Sequence, residues 1–363
     1  MIIEKRRSLD YIQALRGIAA MLVVLCHARD FLRHSPLEGL AYDLFWPGAF
    51  GVDLFFIISG FIIIYTSIDY DRKDTFKFIR KRFLRVWPLY FICTIIYIAL
   101  VNGFDFSGMK GFYYNQNGSP FEILNIIKSL LFIPLNLDSP IYLGPPTLFV
   151  GWTLNYEVYF YLICAIGIAC GRFRYTFYII WFSITLLAIP AIIGGVNFDR
   201  PKIIGAGYLN LTMQSIIWEF VFGAVVAILY KKGALSISKS NIAIPVIILG
   251  ISVPVYAYVT KIDAGHGIAH SGKFFCFMFL CLTSCADYIQ NNIKIPSFII
   301  SIGDASYSLY LIHPLVFMLC YKIASYFIDW SMMSSFWFIG VVFIASLLAS
   351  NISYKYIECK IPR

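Results

Sequence analysis

Long apolar stretches, separated by short polar or basic turns, run through the chain from end to end. A helix that crosses a membrane needs about 20 predominantly apolar residues. The pattern predicts ten such crossings: Tyr11–Phe31, Gly48–Ser67, Trp87–Val101, Phe149–Cys170, Tyr175–Ile193, Leu209–Tyr230, Ile242–Val259, Phe274–Tyr288, Ser306–Ile328 and Ser334–Tyr354. The stretch Ile123–Leu135 is apolar but too short to cross, and predicts a re-entrant or interfacial piece. The longest connection runs from Asn102 to Leu148 and holds a polar patch from Tyr113 to Gly118. That patch either covers a site, binds sugar or is a plain connector. No internal repeat and no soluble second domain is visible, so residues 1–363 read as one all-α polytopic membrane domain.

Composition agrees. Hydrophobic residues make up 60% of the chain, aromatic residues 18% and charged residues 13%. Ordinary soluble domains are about 45–50% apolar and about 25% charged. A soluble domain has no means of hiding this much apolar surface. The same numbers exclude a disordered chain, a coiled coil and a secreted disulfide scaffold. The nine cysteines form no CxxC pair, and most sit inside apolar runs, where a thiol behaves as a small hydrophobe.

The net charge of +9 is not a nucleic-acid signal, because the basic residues lie in short loops between apolar runs. Such charges set orientation, with Lys and Arg retained in the cytoplasm. With a cytoplasmic N-terminus and ten crossings, 19 of the 29 basic residues fall on the cytoplasmic side and both termini lie there. The densest cluster is Lys77 to Pro88, which carries Arg80, Lys81, Arg82 and Arg85 among aromatics. It reads either as an interfacial anchor or as a phosphate clamp, since Arg binds phosphate in bidentate fashion.

An ionisable group inside a crossing costs about 2.5–3.5 kcal/mol to insert and marks a functional candidate. Seven stand out: Arg16, His27, Asp53, Glu157, Glu219, Asp304 and His313. Arg16 and His27 are eleven residues apart on one predicted helix. At 3.6 residues per turn they share a face, about 16 Å apart along the axis. Arg16 falls toward the cytoplasm, and His27, Asp53 and Glu157 fall in the outer half. A His beside a carboxylate suits general-base chemistry, the carboxylate fixing the tautomer. Asp53 and Glu157 are equal candidates for that carboxylate, and either could instead pair with Arg16 to hold helices together. Glu219, Asp304 and His313 read as structural, the last two in the inner half. His266 and His270 have an i, i+4 metal spacing, but Gly265 and Gly267 argue against a helix there, so no metal is expected.

Five blocks of the chain resemble a known family. Leu9 to Ala28, with Arg16 and His27 in an Arg-x10-His spacing, is similar to the first signature of the acyltransferase-3 membrane proteins. Gly51-Val52-Asp53-Leu54-Phe55-Phe56 resembles the second, and Arg82 to Pro88 the basic stretch. Trp152 to Glu157 and Ser306 to Pro314 match two later blocks. The resemblance implies a bacterial inner-membrane enzyme that O-acylates surface polysaccharide such as O-antigen or exopolysaccharide. It implies ten helices with cytoplasmic termini. The chain stops just after the tenth predicted crossing, so the extracytoplasmic hydrolase-like domain of some members is expected to be absent.

The resulting expectation is acyl transfer, most simply of acetyl from acetyl-CoA, to a carbohydrate hydroxyl, with no permanently bound cofactor. Arg80, Arg82 and Arg85 would meet the phosphates of acyl-CoA and Arg16 would steer its arm. His27 would act as base or carry the acyl group, oriented by Glu157 or Asp53. The competing class is a transporter or flippase for lipid-linked sugars, which would use the buried charges without chemistry.

Overall fold

The computed structural model describes residues 9–102, 121–136, 142–193 and 208–361. The polar patch at 113–118 lies outside them. Helix is the dominant secondary structure of the described residues, which contain no strand.

The principal helices are α1 (Asp10–Ala28), α2 (Gly51–Ser67), α3 (Thr75–Asn102), α4 (Trp152–Ala169), α5 (Arg174–Ser183), α6 (Ile217–Lys231), α7 (Ser240–Thr260), α8 (Gly272–Ser284), α9 (Ala286–Asn292), α10 (Ser297–Asp304), α11 (Ser306–Ala324) and α12 (Phe336–Tyr356). Eight segments among the described residues are long and apolar enough to cross a membrane. They become nine if α8 and α9, bent by 63° at Cys285, count as one. This is fewer than the ten expected. The difference falls at Leu209–Tyr230, which is broken into Tyr208–Thr212 and α6 by a turn carrying the buried polar side chains Gln214 and Ser215. With 15 residues, α6 reaches about 22 Å, short of a hydrocarbon core of about 30 Å.

The third crossing also differs. The basic segment is no loop: α3 starts at Thr75 and runs without interruption through Pro88. Proline removes one backbone donor, and a buried membrane helix with packed neighbours tolerates this. The arginines therefore project from a rigid helix. Ile123–Leu130 forms a short helix, in keeping with the short apolar stretch predicted there.

At the centre stand α2 and α4, whose most apolar windows are 72% and 67% buried, while α5 and α7 are 17% buried and face outward. In a membrane a helix that is apolar all round serves either position, so contact surfaces are set by small residues. Gly60 of α2 lies against the backbone of Phe220, and Gly223 of α6 against the carbonyl of Ile57, so these two helices touch backbone to backbone. A Cβ on Gly17 of α1 would lie 3.0 Å from the backbone of Gly303 in α10. This last contact sets the depth of everything that follows it. The chain breaks at Ala305, and α11 begins only after α10 has already climbed beside the first turns of α1.

Candidate active site

Four helices turn one face each toward the interior. On α1 the shared face of Arg16 and His27 is realised. On α3, Arg82 and Arg85 are one turn apart. On α4, Thr153, Glu157 and Tyr161 recur every four residues, and on α11, Ser306, Tyr310, His313 and Phe317 recur at steps of four, three and four.

These faces enclose three cavities. One of about 420 Å³ is lined by Gln13, Arg16, Lys81, Arg82, Arg85 and Asp304. Next to it, a cavity of about 130 Å³ shares Arg16, Arg82 and Arg85 and adds Glu157, Tyr161, Thr153 and Tyr310. A third, of about 370 Å³, is lined by His27, Asp30 and aromatic side chains. Four cations against one carboxylate make the first an anion-attracting space. Its arginines are held in place. Arg16 Nη1 donates to Gln13 Oε1 at 3.0 Å, and Arg82 Nη2 donates to Thr66 Oγ1 at 2.7 Å. Arg85 forms an ion pair with the buried Glu358, whose other oxygen accepts from Ser308 Oγ at 2.7 Å. Arg80 is exposed and lines neither cavity.

Glu157 accepts a hydrogen bond from Tyr161 and belongs to the arginine-lined space, away from His27. Asp53 does not partner His27 either. It is fully buried and accepts from Gly267 N at 2.7 Å, with His266 Nδ1 2.8 Å from its other oxygen. The loop with Gly265 and Gly267, at φ of 156° and 99°, folds His266 back onto the start of α2. A positive φ of this kind favours glycine.

The partner of His27 is a residue that the sequence placed at the wrong depth. His313, expected in the inner half, is level with His27, because α10 takes up the inner half in its stead. Its Nε2 lies 2.9 Å from His27 Nδ1. The ring planes are 6° apart and the centroids 5.1 Å, about the N–N distance plus two ring radii, so the rings meet edge to edge. His313 Nδ1 lies 3.1 Å from the Leu309 carbonyl, which can only accept. Neutral His313 therefore carries its proton on Nδ1 and accepts at Nε2. His27 must then carry its proton on Nδ1, which leaves His27 Nε2 as a free base on a ring that lines the third cavity. Tyr310 lines the middle cavity and packs on His313 at 6.1 Å, linking the two halves of the site. Its hydroxyl donates to Val150 O at 2.8 Å and accepts from Thr153 at 3.0 Å.

A helical membrane bundle with buried cations and a histidine pair defines a class, that of multi-pass membrane proteins with ionisable groups inside the bundle. A family model described as an acyltransferase domain matches residues 9–355, and the chain belongs to this acyltransferase-3 family. It is a multi-pass membrane acyltransferase, an enzyme where the transporter alternative required none. It is 28% identical over 275 residues, 74% of this chain and 76% of the relative, to the exopolysaccharide production protein ExoZ of Rhizobium meliloti. It is 26% identical over 161 residues to the acyltransferase MdmB of Streptomyces mycarofaciens, covering 38% of that protein. It is 24% identical over 385 residues to the O-acetyltransferase OatA of Staphylococcus aureus, covering 99% of this chain and 59% of that protein. The chain thus spans less than two thirds of the latter two relatives. No solved structure matches it.

Proposed function

We propose that the chain moves an acyl group, most simply acetyl, from acyl-CoA to a hydroxyl of a cell-surface carbohydrate in the bacterial inner membrane. The observation that carries this reading is the placement, on one face of α1, of Arg16 in the cationic cavities and His27 in the third cavity. The end bearing Lys81, Arg82 and Arg85 faces the cytoplasm, where acyl-CoA is found. Its diphosphate and 3′-phosphate suit a space lined by three arginines and a lysine. Arg80, exposed on the same helix, adds to the field at the mouth. Donor acetyl and carbohydrate acceptor are supported by the names of the relatives, an O-acetyltransferase and an exopolysaccharide production protein.

In the direct route, His27 Nε2 takes the proton from the acceptor hydroxyl as its oxygen attacks the thioester carbonyl. The C–S bond then breaks, and the imidazolium returns the proton to the departing thiolate. Throughout, His27 Nδ1–H donates to His313, which holds the ring in position and stabilises the cation. Glu157 and Tyr161 act on the donor side, where they balance Arg16 and its neighbours. Asp53 works through His266 to fix the glycine-rich loop.

The test is mass spectrometry of envelope glycans from a deletion strain of the source bacterium. The strain carries an empty vector, the wild-type gene or His27→Ala at matched membrane levels. A base-labile acyl mass with wild type alone is expected. The same mass with both proteins removes His27 from the chemistry, and no acyl mass with wild type overturns the proposed transfer.

A further inference from the structure

The third cavity carries more than the base. α1 continues into a 3-10 turn, Arg29–Leu32, so Asp30 follows His27 on the same side of the chain and lines the same space. The remaining wall is largely aromatic, with Tyr97, Tyr321 and Trp330 among its members. Tyr321 and Trp330 meet edge to face at 6.3 Å and are 40% and 46% exposed, so the cavity opens on their side. Asp30 is the one carboxylate on the wall among the described residues. It is anchored from behind by Arg33 at 3.5 Å and Arg29 at 4.0 Å, neither of which lines the cavity.

Flat apolar faces beside one fixed carboxylate match the chemistry of a sugar ring. Its C–H face packs on an aromatic side chain while its hydroxyls donate to an acceptor oxygen. At about 370 Å³ the space is at the small end of ligand pockets, suited to a single ring and not to a folded chain. A carboxylate with no cation among the described residues of the wall also disfavours an acidic sugar.

We infer that this cavity is the acceptor subsite: Trp330 and Tyr321 stack on an uncharged sugar ring, and Asp30 accepts from the hydroxyl next to the one presented to His27. The inference rests on the proposed acyl transfer and adds to it the chemical class of the acceptor unit and the side chains that select it. Asp30 and the aromatics position the acceptor and take no proton from the reacting hydroxyl.

The test uses the purified full chain in nanodiscs with radiolabelled acetyl-CoA. The acceptor probe is envelope glycan from the wild-type-expressing strain, stripped of ester-linked acyl groups by mild alkali. Trp330→Ala and Asp30→Asn are each expected to raise the KM for glycan about tenfold or more, with the KM for acetyl-CoA unchanged. Trp330→Phe, which keeps a stacking face, recovers most of the loss. Tyr326→Ala, which removes an aromatic that is 84% exposed and outside the cavity, leaves both constants as in wild type. Transfer by wild type with an unaltered glycan KM in Trp330→Ala and Asp30→Asn overturns the subsite. So does an equal rise in Tyr326→Ala, which would make the aromatics a membrane-surface anchor. Absence of transfer by wild type overturns the proposed reaction, and the subsite with it.

Discussion

His27 and His313 meet ring edge to ring edge, Nδ1 to Nε2 at 2.9 Å, although 286 positions separate them in the chain. The Leu309 carbonyl behind His313 sets the direction of both hydrogen bonds, and so decides which nitrogen of His27 is left without a proton. The arrangement has the geometry of an Asp–His pair, with a neutral imidazole in place of the carboxylate.

Replacing His313 tests that direction. The amide oxygen of His313→Gln accepts from His27 Nδ1–H, whereas His313→Leu offers nothing. In His313→Leu, kcat should fall about 10²-fold or more, and His313→Gln should lose clearly less. The KM for acyl-CoA should stay as in wild type in both. Steady-state kinetics with each substrate varied gives the answer, and equal losses in the two variants would make the contact one of packing alone.

Arg82 and Arg80 lie on the same helix, two residues apart, and should behave differently. A hydrogen bond to a charged group contributes about 1.5–3 kcal/mol, or about 10–150-fold in affinity. Arg82→Ala should raise the KM for acyl-CoA within that range, and Arg82→Lys should recover part of it, since charge returns without the fork. Arg80→Ala should change it less than threefold. Isothermal titration with coenzyme A provides an independent check.

Glu358 lies past the last long helix, and its pairing with Arg85 ties that segment to the arginine-lined cavity. Removing one partner of a buried pair costs about 3–5 kcal/mol, because the other charge stays behind. Glu358→Gln should therefore lower the thermal unfolding midpoint in detergent. Replacing both residues with methionine should restore much of it. A single variant as stable as wild type would show that water already compensates Arg85.

The crossing of α2 and α6 leaves no room for side chains at Gly60 and Gly223, which abut the backbones of Phe220 and Ile57. Overpacking of this kind costs about 1–3 kcal/mol. Gly223→Val should lower the unfolding midpoint, with KM values unchanged in the protein that folds. A midpoint at or above that of wild type would mean that the helices separate freely.

The helical periodicity sufficed to put Arg16 and His27 on one face, since both belong to one unbroken helix. The membrane architecture was legible for the same reason: long apolar runs have few alternatives. What the chain could not disclose depends on where helices break and how deep they start. The stop at Gly303-Asp304-Ala305 is a visible break signal, yet only the packing of Gly303 on α1 shows that it lifts His313 to the level of His27. Asp53 and His266 are 213 residues apart, and no local pattern announces their pairing. The glycines that argue against a metal-binding helix at His266 are what allow the loop to bring it to Asp53. Glu157 resembled a partner for His27 by depth alone, whereas its side chain sits on the arginine side of the bundle.

His27 is proposed to perform the proton transfer and not to hold the donor. The most direct test is single-turnover acyl transfer by wild type and His27→Ala in nanodiscs, with acetyl-CoA affinity measured on the same preparations. His27→Ala should bind acetyl-CoA as wild type does and transfer about 10²–10⁴-fold more slowly. Transfer at the wild-type rate, or slow transfer explained wholly by lost acetyl-CoA binding, would contradict the account.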